Sequence, residues 1–116
     1  MPTMSQAATR AYQTAASHRS LREQEADVFR RASGALKAAR EGGTTIQVQA
    51  IADNRRLWVT VNDLMRDPTN TLPPDLRASI VSVGIAVQRE MTRDNPDLDF
   101  LISINDNIAA GLAAPV

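Results

Sequence analysis

The chain has 116 residues, 43% hydrophobic but only 3% aromatic, with thirteen basic side chains against thirteen acidic ones and no cysteine. That length holds one domain at most, and its core must be aliphatic and alanine-rich, which suits close-packed helices. A net charge of zero is a poor start for nucleic-acid binding, and the absence of cysteine excludes disulfides and thiolate metal sites.

The N-terminus, Met1-Pro2-Thr3-Met4-Ser5-Gln6, has neither a basic n-region nor an apolar h-region. No apolar run approaches the ~20 residues that span a bilayer. A soluble, cytoplasmic protein without a membrane partner is expected. Residues 1–18 are small and polar, with Met4, Ala8, Ala11, Tyr12 and Ala15 at helical spacing. Burying so thin a stripe stabilises little, so the stretch reads as an N-terminal arm, flexible or a short helix. Residues 19–116 read as a single helical domain.

Ser20 and Glu23 have the spacing of a capping box, opening a helix over about 20–41. Its inward stripe is Leu21, Val28, Ala32, Ala35, Leu36 and Ala39, flanked by Phe29. Asp27 and Arg31 are spaced for an ion pair on the wet side. Gly42-Gly43 is expected to end this helix with a left-handed residue. Thr44 or Thr45 starts a second helix, about 44–66, with a stripe of Ile46, Ala50, Leu57, Val61 and Leu64, widened by Ile51, Trp58 and Met65. Asn54 falls inside this sector, and a buried amide must find partners. Asp67-Pro68-Thr69-Asn70-Thr71 reads as a turn that bonds its own backbone.

A third helix, about 73–93, opens on Pro73-Pro74, which suit a first turn whose amides lack partners. It carries two stripes. Leu76, Ile80, Val83, Val87 and Met91 form one, and Ala78, Val81 and Ile85 the other. A helix apolar on both sides is either sandwiched in the bundle or keeps a face for a partner. Asn95-Pro96 breaks it. Asp97 or Asp99 caps a fourth helix, about 98–113, with Phe100, Leu101, Ile104, Ile108 and Leu112 inward and Gly111 on the same side for close contact. Nothing alternates with period two. The fold expected is all-α, a small up-down bundle of three long helices plus an N-terminal arm or short helix.

No catalytic constellation is present. GxxxxGK[ST] and HExxH are both missing, and the single histidine, His18, reads as a solvated surface residue. Asp94 to Asp99 lacks the ligand spacing of a calcium loop. No catalytic, metal or cofactor site is expected. A binding module is the better reading. Trp58 is either a core anchor or a binding hot spot. Val48 and Val59 share a line on the otherwise polar side of the second helix, and Ala78–Val81–Ile85 is a similar spare line. Small bundles with such lines receive an amphipathic helix in a groove.

Several segments, in order, resemble the FlaF family of flagellar biosynthesis regulators. They are Ala11-Tyr12-Gln13; Arg22-Glu23-Gln24-Glu25; Asn54-Arg55-Arg56-Leu57-Trp58; Leu72-Pro73-Pro74-Asp75-Leu76-Arg77-Ala78; Ile80-Val81-Ser82-Val83-Gly84; and Ile104-Asn105-Asp106-Asn107-Ile108-Ala109-Ala110-Gly111-Leu112. The resemblance implies a protein that binds flagellin, helps its secretion and regulates its synthesis, in balance with the translational regulator FlbT. The expected partner-binding residues are Trp58, Val59, Val81 and Ile85 from the apolar lines, with Tyr12, Arg55 and Arg77 added by the resemblance. Arg55 and Arg77 would clamp a partner carboxylate, or else pair with Glu23 or Glu25. Asn54 and Asn105 would bond between helices, and Tyr12 would pin the arm or touch flagellin. The alternatives are a regulator acting on flagellin mRNA or through another regulatory protein such as FlbT, and a homodimer whose spare face is its own interface.

Overall fold

The computed structural model describes the backbone of residues 4–113 and the side chains of residues 6–10 and 23–113. Four helices follow one another: α1 (Met4–Ala39), α2 (Thr44–Arg66), α3 (Pro74–Met91) and α4 (Leu98–Ala113). No strand occurs among the described residues. The fold is all-α, but not as three long helices and an arm. The stretch expected as an arm enters α1 at Met4, and the helix runs on through Ser20, where a new helix was expected to begin. Neither glycine nor proline falls between residues 4 and 33 to interrupt it, and alanine favours propagation. The side chains of Tyr12 and His18 lie outside the described residues.

Glycine ends α1 differently from expectation. No glycine has positive φ. Instead Gly43 is the extended residue before α2, with φ −75° and ψ 175°. Across the next connection, Asp67 Oδ1 accepts from the Thr69 amide at 2.9 Å and the Thr69 hydroxyl at 2.8 Å. Asn70 Nδ2 donates at 2.8 Å to the Leu64 carbonyl, which also accepts from the Asp67 amide at 3.3 Å at the end of α2. Pro73 and Pro74 open α3. The Phe100 amide donates to Asp97 Oδ1 at 3.0 Å, so Asp97 caps α4.

α1 packs mainly on α4 and also on α2. α3 packs mainly on α2, touches α4 little and does not touch α1. α3 is therefore an outer helix, not a sandwiched one. The core collects Ala26, Phe29, Leu36, Trp58, Val87, Met91 and Leu101, among others. The molecule measures 63 × 27 × 19 Å.

The buried lines are turned from the expected stripes. On α1 the buried positions are Ala26, Phe29, Ser33, Leu36 and Ala39, while Val28 is exposed. On α2 they are Ala50, Asn54, Trp58 and Val61, with Ile46 and Leu64 exposed. On α3, Gly84 replaces Val83 at the centre and Leu76 is exposed. On α4, Asn105 and Ala109 are buried, and Gly111 faces open space. Polar or small residues occupy the middle of each line, so an apolar stripe alone misplaces it. The ion pair on α1 joins Asp27 to Arg30 at 2.8 Å, not to Arg31.

Candidate functional site

Trp58 organises the interior. Phe29 meets its ring edge-on, with centroids 5.9 Å apart and planes at 72°. Gly84 lies against it so closely that a Cβ there would stand 3.3 Å from the ring. The indole Nε1 donates to Asn105 Oδ1 at 2.9 Å. Asn105 Nδ2 donates to Asn54 Oδ1 at 2.7 Å, and Asn54 Nδ2 to Met91 Sδ at 3.4 Å. One polar chain thus crosses from α2 to α4 and from α2 to α3. Each amide expected to need an interhelical partner has one, as burial requires. Trp58 is only 1% exposed. It is a core anchor, and a docked partner would not reach it.

Arg55 Nη2 donates to the Met91 carbonyl at 3.3 Å, at the C-terminus of α3, where a cation suits the helix dipole. Neither Arg55 nor Arg77 has an ion pair with Glu23 or Glu25. The two contacts Arg55–Met91 and Trp58–Gly84 run in opposite chain directions, so α2 and α3 are antiparallel. In an antiparallel pair, positions advanced the same way round from each contact line lie on the same side. Val59 on α2 and Val81 and Ile85 on α3 are such positions. Val59 is 50% and Ile85 54% exposed, and Val81 is half-buried. Arg77 is half-buried one turn before Val81, and its Nε is buried without a hydrogen-bond partner.

The structure therefore assembles five of the seven expected residues, Arg55, Val59, Arg77, Val81 and Ile85, on the outer side of α2 and α3. It places Trp58 beneath them, while the Tyr12 side chain lies outside the described residues. Sequence reasoning did not single out Gly84 as the residue against Trp58. Its place in the series Ile80, Gly84, Val87, Met91 was the available signal.

Two ion pairs tie α1 to α4. Lys37 meets Asp106 at 3.3 Å and Arg40 meets Asp99 at 2.8 Å, both between α1 and α4. Exposed pairs of this kind contribute about 0–1 kcal/mol. Ser33 is buried and its hydroxyl closes no well-aligned hydrogen bond, yet it faces the Asp106 carboxyl. That hydroxyl, ahead of Lys37, lowers the Asp106 pKa against the opposing effect of burial. The Thr69 amide and then its hydroxyl lower that of Asp67. Among the described residues no group of three or more His, Cys, Asp or Glu side chains could hold a metal ion, and no helix is long and apolar enough to cross a membrane.

Comparison with known families adds one finding. The model of the family described as flagellar protein FlaF matches residues 8–112. No curated protein and no solved structure gives a significant match.

Proposed function

From the premise that this chain belongs to the FlaF family of flagellar proteins, with a role in flagellar biosynthesis, we propose that it is a flagellin-binding secretion chaperone that also regulates flagellin synthesis. It acts in the cytoplasm by binding and without chemistry. The observation that carries this reading is Ile85, 54% exposed on a helix that packs on one side only. With Val59 and Val81 it leaves an aliphatic strip on the outer face of α2 and α3. An amphipathic segment of unassembled flagellin could bury its apolar stripe there, in the manner of a helix in a groove. Ordering such a segment opposes binding, so the complex is moderate in affinity and releases its client.

Purified chain and cognate flagellin, mixed and run on size exclusion, should co-elute. Separate peaks for the two proteins would contradict the reading. A gel shift with the flagellin leader RNA in place of flagellin would instead point to mRNA control, and retention of FlbT from a strain lacking flagellin would point to an adaptor.

A further inference from the structure

The strip formed by Val59, Val81 and Ile85 is bordered by arginines that form no ion pair among the described residues. The ion pairs among the described residues are Arg30–Asp27, Lys37–Asp106, Arg40–Asp99 and Arg93–Glu90. None uses Arg55, Arg66, Arg77 or Arg89. At about 100° per residue, Arg55, Val59 and Arg66 share one sector of α2, and Val81, Ile85 and Arg89 share the matching sector of α3, with Arg77 at its inner edge. Of the acids of these helices, Asp53, Asp75 and Glu90 fall outside both sectors, and Asp63, one turn on from Val59, falls inside that of α2, so four arginines meet one carboxylate there.

The antiparallel register then sets the pattern along the strip. Trp58 is level with Gly84, and the Arg55 guanidinium reaches along α3 to the Met91 carbonyl. Val59 therefore comes level with Ile85, Arg55 and Arg89 stand at one end, and Arg66 and Arg77 at the other.

We infer that this face binds an amphipathic helix whose apolar stripe is flanked by Asp and Glu side chains. The inference rests on the partner-binding reading above and adds the sign of the partner's charge. Carboxylates on either side of the stripe reach the arginines. Nucleic acid also attracts arginine. The centre of this strip, however, is aliphatic and offers no aromatic platform for bases, whereas an apolar centre with a charged rim matches a docked helix.

The test uses two fluorescent helical peptides with the same leucine stripe, one flanked by glutamates and one by lysines. Each is titrated into the full chain and into Arg66→Glu/Arg89→Glu, whose fold is checked by circular dichroism. The acidic peptide should bind the wild type at least about tenfold more tightly than the basic one. Added salt should narrow the difference, and the double variant should invert it. Equal binding of the two peptides, or an unchanged preference in the variant, overturns the inference. Flagellin titrated in parallel separates the two readings. If wild type and variant bind flagellin alike, the charge inference fails and the chaperone reading stands. If the acidic peptide binds and flagellin does not, the chaperone reading fails and the charge inference stands. A leader RNA that displaces the acidic peptide and is lost in the variant assigns the face to RNA and overturns the inference.

Discussion

Asn105 and Asn54 are joined by a hydrogen bond of 2.7 Å, and both side chains are fully buried. Each also carries a second bond, from Trp58 to Asn105 and from Asn54 to Met91. A polar pair in an aliphatic core fixes how the helices rotate, because any other rotation leaves donors and acceptors unpaired. The outer strip of α2 and α3 is presented by that rotation. Asn105→Ala leaves both the indole N–H and the Asn54 carbonyl oxygen without a partner. It should cost about 1–3 kcal/mol for each group left unpaired, read by denaturant unfolding. Asn54→Leu/Asn105→Leu should cost less than the sum of the two single changes. Additive costs would mean the amides act independently.

Gly84 is required by the closeness of α3 to Trp58. The ring is held by Phe29 and by its bond to Asn105, so it cannot swing away from a new side chain. Gly84→Val should destabilise by about 1–3 kcal/mol through overpacking, with a shift in the tryptophan emission. In Gly84→Ala the crowding at 3.3 Å is set against a gain of about 1 kcal/mol in helix propensity, so the alanine variant should unfold close to wild type. A valine variant as stable as wild type would show that the helices part more easily than the packing indicates.

The contacts of Asp106 predict the sign of a pH dependence. Its carboxyl is held below the ordinary 3.8, first by the Ser33 hydroxyl and then by Lys37. A carboxyl with a lowered folded pKa stabilises the fold above its unfolded value and loses that contribution as pH falls through the folded value. Stability of the wild type should therefore drop below pH 3.8 more steeply than that of Asp106→Asn. Ser33→Ala should flatten the same limb. Superimposable acid limbs for wild type and Asp106→Asn would contradict this.

Much of the architecture was legible in the sequence. The bounds of α2, α3 and α4 follow from their punctuation: glycine before Thr44, prolines at 73 and 74, and Asp97 after a proline. The rotation of each helix was harder to read. Asn54 was legible inside its sector, whereas Ser33 and Gly84 occupy inward positions that a count of apolar residues gives to the surface or leaves at the margin. Their burial depends on partners from other helices, which no single stretch reveals. The long α1 lacked the opposite signal, a residue to stop it, so a capping pattern at Ser20 was overread. The spare lines through Val59 and through Val81 and Ile85 could be seen because they lie off the main stripes. That their arginines form no ion pair is a tertiary fact, since Asp63 shares their face without closing on any of them.

Loss of one aliphatic contact on the outer strip tests the account most directly. Ile85→Asp changes a residue that is 54% exposed, so the helical spectrum and the melting temperature should stay near wild type. Titration calorimetry with cognate flagellin should give binding for the wild type and none for Ile85→Asp. A folded Ile85→Asp protein that binds flagellin as the wild type does, or a variant that unfolds, would contradict a partner-binding face at Ile85.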